Sequence, residues 1–166
     1  MNDIQTRKQI RLSENNYCQN GAYFITICTK NKNDILGVVK KDNVFCDAYV
    51  LLSEFGEIVK MLIENISNSK HDVDVLQYVI MPNHVHIIFY IDNKKIDGTL
   101  KAASSTIPKI VNSIKGLSSK KAGFSLWQRS YYDHIIRDEA DYRIRAQYIE
   151  QNPIKWMDDE YYIQKT

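Results

Sequence analysis

The sequence predicts a mixed chain in which amphipathic helices lie against a β-sheet. Runs rich in β-branched and aromatic residues, with a period of two, recur at residues 23–29, 35–39, 73–81 and 84–90. After Ser53 the period changes, and Leu52, Phe55, Val59, Leu62 and Ile66 fall on one stripe at spacings of three and four. Between the last two extended runs stands Pro82-Asn83, the turn of a hairpin.

Taken in order, residues 1–20 carry a basic arm, Arg7, Lys8 and Arg11, with no sustained period. The run at 23–29 is the first strand and 35–39 the second. A shorter extended piece follows over 44–50 after the turn Lys40-Lys41-Asp42-Asn43. The first helix is expected over 53–65, with Ser53 as N-cap and Glu54 and Glu57 in the first turn, where the helix dipole favours acids. A second helix starts at Thr106-Ile107-Pro108, since proline is tolerated in a first turn. Ile107, Ile110, Val111 and Ile114 form its stripe, and Gly116 is its expected stop.

Residues 117–123 then read as a serine- and lysine-rich connection and 124–136 as mostly extended. Trp127, Tyr131 and Tyr132 could stack on unpaired bases or simply pack, and His134 reads as structural. Asp138 is a good N-cap for the last helix, which Pro153 limits. Tyr142, Ala146 and Ile149 would be its buried stripe. Tyr148 falls on the other side, with Asp141, Ile144, Arg145, Gln151 and Asn152.

Length and composition bound the class. A chain of 166 residues, 44% hydrophobic and 25% charged, fits one domain with a core that needs no disulfide or structural metal. The cysteines, Cys18, Cys28 and Cys46, are odd in number and lack a C-x-x-C spacing, which argues against a disulfide framework. No apolar signal region opens the chain, and no apolar run approaches the ~20 residues of a membrane span, so the cytoplasm is the expected location. Net charge is only +2, but its distribution is uneven. Residues 94–145 hold eleven Lys and Arg against five acids, an asymmetry that suits a polyanion and equally a solvated surface of mixed sign.

The pattern that carries chemistry is His84-Val85-His86. Alternation puts His84, His86, Ile88 and Tyr90 on one strand face and Val85, Ile87 and Phe89 on the other. Same-face neighbours lie roughly 6.5–7 Å apart, a separation that two imidazoles can close around one divalent ion about 2.0–2.2 Å from each. Two strand histidines that bind nothing fit the pair as well. A second patch is Tyr148, with Asn152 one turn further on. A phenol, with its ordinary pKa of about 10, is a poor nucleophile at neutral pH unless a charge or metal assists it. An ion on His84 and His86 could polarise a phosphate oxygen for attack by Tyr148, and the Asn152 amide oxygen could complete the coordination. Strand cleavage would leave a tyrosyl phosphate and a free hydroxyl that can later attack in reverse, with no water consumed.

Three blocks resemble one family: Met81-Pro82-Asn83-His84-Val85-His86, the run from Leu126-Trp127-Gln128-Arg129 to His134-Ile135-Ile136-Arg137, and Tyr148-Ile149-Glu150-Gln151-Asn152-Pro153 with Trp156 following. They resemble the REP-associated tyrosine transposases, which belong to the HUH single-strand endonucleases and look like the single-tyrosine transposases of small insertion sequences. Residues 20–29 and 107–111 share the likeness, so it spans nearly the whole chain. The resemblance implies one domain over residues 1–166 with an α+β, ferredoxin-like or RRM-like antiparallel sheet and helices packed on it. It implies Mg²⁺ or Mn²⁺ on His84 and His86, Tyr148 as the catalytic nucleophile and Asn152 as third ligand. Single-stranded DNA that forms hairpin repeats is the implied partner. Relatives include dimers that exchange the tyrosine helix and also monomers, so both states stay open. Where family members often have arginine after the first strand, this chain has Asn31-Lys32-Asn33.

The expected function is thus a metal-dependent single-stranded DNA endonuclease and strand transferase. Two other readings stand beside it: a domesticated DNA-hairpin-binding regulator with little cleavage, and a zinc hydrolase built on His84 and His86. Arg7, Arg11, Lys115, Arg129 and Arg145 are the candidate phosphate contacts.

Overall fold

The computed structural model describes residues 21–42, 47–69, 72–92 and 106–163. Strand β1 (Gly21–Cys28) buries Tyr23, Ile25 and Ile27 on one face, as its alternation requires. The next two strands, β2 (Gly37–Asp42) and β3 (Asp47–Leu52), form a separate hairpin. It begins two residues later than the expected run at 35–39, because Leu36 has another role. That side chain is fully buried, its N–H donates to the Pro82 carbonyl, and its own carbonyl accepts from Ser53. Leu36 thereby joins the hairpin to helix α1 (Glu54–Ser69). At this joint a Cβ on Gly56 would lie 2.1 Å from the Leu36 carbonyl oxygen, so close approach demands glycine there.

Ser53 caps α1 as expected, its Oγ accepting from the Gly56 N–H at 3.2 Å. The helix runs four residues beyond the expected end, with Val59, Ile63 and Ile66 buried along it. Strands β4 (Val73–Ile80) and β5 (His84–Ile91) form the predicted hairpin across Pro82-Asn83. Helix α2 (Thr106–Ala122) corrects the sequence reading, since it passes through Gly116 and absorbs most of the expected connection. A glycine costs a helix about 1 kcal/mol. Contacts on both sides of Gly116 offset this: the Lys115 ammonium holds the carbonyls of Gln128, Arg129 and Ser130, and Ser118 Oγ accepts from Trp127 Nε1 at 2.8 Å. The helix ends instead at Gly123, whose φ of +81° suits glycine.

Strand β6 (Tyr132–Ile136) and helix α3 (Glu139–Gln151) complete the described elements. β4, β5, β1 and β6 lie in that order in one antiparallel sheet. With the β2–β3 hairpin and α3 set aside, the order is βαββαβ, which is the ferredoxin-like α+β arrangement. Helices α1 and α2 cover one face, where Tyr23, Ile25, Ile27, Val85, Ile87 and Phe89 make the main core. The opposite face carries Phe24, Thr26, His84, His86 and Ile88 and is covered in part by α3 through Ile149. No described helix is long and apolar enough to cross a membrane.

Helix α3 is fixed at its start by charge. Asp138 caps it through the Asp141 N–H, and Asp141 accepts from His134 Nε2 at 2.7 Å, from the Arg137 N–H and from Arg145 Nε. His134 is therefore structural, as its isolation in the sequence suggested. Burial pushes the Asp141 carboxyl up, but the His134 bond, the Arg137 N–H and the charges of His134 and Arg145 outweigh this and hold it below its ordinary value. A carboxyl lowered in the folded state contributes stability above its unfolded value and loses it as pH falls through the folded one. Asp141→Asn is expected to lower stability by about 1 kcal/mol at pH 7 and to flatten the acid limb of the stability curve. Urea midpoints at pH 7 and pH 3 check this, and an equal loss at both would exclude the charge as the cause.

Candidate active site

The site is built on the face of the sheet away from the main core. In β5, His84 and His86 point to this face, opposite Cys28 and Thr26 of β1, and both are almost completely buried. Their ring centroids are 4.5 Å apart. Burial depresses both imidazoles. His84 falls to about 4 despite the opposing pull of Asp159 and Asn152. His86 falls well below its ordinary value, with His84 and Arg145 adding to the effect of burial. Both rings are neutral at pH 7 and hold lone pairs available to a metal.

Hydrogen bonds fix where those lone pairs point. The Asn83 amide nitrogen donates to the Lys32 and Tyr161 carbonyls, so its Oδ1 is left to accept from His84 Nδ1 at 2.9 Å. His84 Nε2 therefore carries the lone pair, yet it faces Asn152 Oδ1 at 3.2 Å. That oxygen is itself oriented, because Asn152 Nδ2 donates to Asp159 Oδ2. Two acceptors thus face one another in a buried place. On the second ring, Nδ1 is held by Thr26 Oγ1 at 2.8 Å, and Nε2 is buried with no hydrogen-bond partner among the described residues. Facing acceptors and an orphaned imidazole nitrogen are costly unless a cation lies between them. The residues present fit a divalent ion, with hydrogen bonds behind the ligands of the kind that orient metal-bound histidine.

Helix α3 brings Tyr148 over this pair. Its ring lies 5.1 Å from that of His86 and 6.2 Å from that of Phe24. The sequence placed Tyr148 on a polar side away from the buried stripe, and this needs correction. Tyr148 packs with Ile149 and Ala146 against the sheet, and Asn152 is buried at the end of the helix, while Ile144 is 62% exposed. The polar side of α3 is turned toward the polar end of the sheet. The Tyr148 hydroxyl donates to Asp159 Oδ2 at 3.2 Å, and burial followed by the Asp159 charge pushes its pKa above the ordinary value.

Sequence reasoning missed Asp159. It follows the turn Trp156–Asp158, where Trp156 is buried with its ring 5.9 Å from that of His84. Tyr161 closes the loop, with its ring 4.5 Å from His84 and its N–H donating to Asp159 Oδ1. His84, His86 and Asp159 each offer a ligand atom, and these atoms lie within 4.8 Å of one another. The available signal was Trp156, an aromatic past a proline, which needs a place to bury itself and so draws Asp159 inward while Asp158 and Glu160 stay exposed. Beside Tyr148 and Asp159 opens a cleft lined also by Gln151, Lys155, Asp158 and Glu160.

Of the candidate phosphate contacts, Arg7 and Arg11 lie outside the described residues. Arg145 is at the site, its guanidinium 5.4 Å from the centroid of the Phe24 ring and its charge acting on both His86 and Tyr148. Arg129 is exposed just before β6. Lys115 is engaged by the three loop carbonyls and by the Tyr131 ring at 5.7 Å, a structural use of its charge.

Compared with known protein families, residues 18–152 match the model described as transposase IS200 like. The chain belongs to this family. An uncharacterized protein of Haemophilus influenzae is 38% identical and aligns over 96% of this chain and 95% of its own length. A REP-associated tyrosine transposase of Escherichia coli is 25% identical over 84% of this chain and 70% of its own. Among solved structures, a REP-associated tyrosine transposase bound to a REP hairpin superimposes with a TM-score of 0.58 at 19% identity, covering 83% of this chain and 69% of that one. The resemblance to REP-associated tyrosine transposases read from the sequence is borne out, and the transposase fold with it.

Proposed function

We propose that this IS200-like transposase cuts and rejoins single-stranded DNA through Tyr148, with His84, His86, Asn152 and Asp159 holding Mg²⁺ or Mn²⁺. The observation that carries the reading is the Tyr148 phenol standing over the histidine pair of its own chain, joined to it through Asp159 and Asn152. When bound, the cation supplies charge neutralisation at a non-bridging oxygen of the scissile phosphate. The chain supplies the rest. Tyr148 Oη attacks phosphorus, its proton passes to Asp159 Oδ2, and the deoxyribose oxygen on the far side leaves with the bonding pair and takes a proton from solvent. The phosphate is then esterified to Tyr148, and the freed hydroxyl can attack it in reverse. Because nucleophile and ligands come from one chain, a second copy is not needed to assemble this site.

Hairpin-forming repeats are the proposed substrate, since the solved REP-associated tyrosine transposase holds a REP hairpin. A labelled DNA hairpin with single-stranded flanks, incubated with Mn²⁺, is expected to give a covalent protein–DNA adduct that survives denaturation. Tight binding without any adduct would favour the regulator. That second reading draws on the hydrogen bond of the Tyr148 hydroxyl to Asp159 and on its raised pKa, both of which restrain the nucleophile.

A further inference from the structure

We propose that Tyr132, on the edge strand β6, is a stacking platform for the base next to the bond that is cut, so that single-stranded DNA crosses the sheet over β6. The inference rests on the proposed function and adds the path of the strand. Register pairs Tyr132 with Thr26, and Thr26 with His86, so the three stand in one row on one face. Alternation confirms the side: His134 and Ile136, two and four residues on, meet α3 and its cluster, while Ile135 packs into the main core. Two strand spacings put Tyr132 about 10 Å from His86, within the reach of a nucleotide whose phosphate lies at the histidines.

Exposure separates this ring from its neighbours. Trp127 and Tyr131 are buried in the main core, whereas Tyr132 is 40% exposed. Among the described residues β6 is the outermost strand of its sheet, and no further strand covers the ring. Charge selects the direction. On the cleft beside Tyr148 the rim carries Asp158, Asp159 and Glu160 against Lys155, which disfavours a phosphate backbone there. Toward β6 stand Arg129, exposed three residues before Tyr132, and Arg145 over Phe24. Aromatic faces flanked by arginines are what a sequence-tolerant single-strand track requires.

The test uses the full chain and a fluorescent DNA hairpin carrying a single-stranded thymidine tail. Tyr132→Ala is expected to weaken binding by roughly five- to a hundredfold, as for loss of one stacked base, with the salt dependence unchanged. Tyr132→Phe is expected to bind like wild type, and Arg129→Ala to lower the salt slope by about one unit. In adduct formation, Tyr132→Ala should raise the DNA concentration for half-maximal rate and leave the saturating rate within about twofold. Wild-type chain that does not bind the tailed hairpin overturns the proposed function and this inference together. Binding by wild type with equal binding by Tyr132→Ala, or a Phe variant as weak as the Ala one, overturns this inference alone.

Discussion

Tyr148→Phe is expected to abolish the covalent adduct, with a loss of at least about a thousandfold, because the substitution deletes the proposed attacking oxygen and leaves the ring in place. The ring contacts with His86 and Phe24 involve no hydroxyl, so the fold and the hairpin affinity should be retained. The only described hydrogen bond lost is that to Asp159, half-buried at 3.2 Å, which changes stability by about 1 kcal/mol. Denaturing gels score the adduct and fluorescence anisotropy scores binding. Tyr161 sharpens the experiment, since its ring also lies over the pair, 5.8 Å from that of His86. Tyr161→Phe should keep the adduct. An adduct that persists in Tyr148→Phe and disappears in Tyr161→Phe would transfer the nucleophile to the later residue.

What was legible in the sequence follows from what is periodic. The alternation of β5 fixed the face of both histidines, and Ser53 and Asp138 marked two helix starts by local capping chemistry. Gly116 misled because its local cost is set against Trp127 and three loop carbonyls, which lie close only after folding. Leu36 looked like part of a strand, yet its backbone is spent on Pro82 and Ser53, partners distant in sequence. Tyr148 and Asn152 were readable as a pair one helical turn apart, while the side they occupy was not. Helix α3 covers an apolar end and a polar end of the same sheet, so its polar residues face inward at the site. Asp159 had no period at all. Its place is set by the burial of Trp156 and by the bond from Asn83 to the Tyr161 carbonyl, two contacts that an irregular segment makes only with the finished fold.

Removal of the second histidine should separate stability from function in opposite directions. His86 Nε2 is buried without a hydrogen-bond partner among the described residues, a cost of about 1–3 kcal/mol that the metal-free fold bears in exchange for the proposed ligand. His86→Leu keeps a side chain of similar volume beside Phe24, removes that nitrogen, and gives up the 2.8 Å bond to Thr26. The metal-free variant is therefore expected to melt no lower than wild type. Manganese should behave differently on the two proteins. A ligand that binds only the folded state adds stability in proportion to the logarithm of its excess, about 2.7 kcal/mol at a hundredfold over the dissociation constant. Wild type should gain that increment, and His86→Leu should lose most of it together with at least about a thousandfold of adduct formation. Melting curves with Mn²⁺ and with chelator measure both arms. A metal-free variant much less stable than wild type would show that the Thr26 bond and the packing of His86 outweigh the cost of its unpaired nitrogen. An equal manganese shift in both proteins would place the cation away from the histidines.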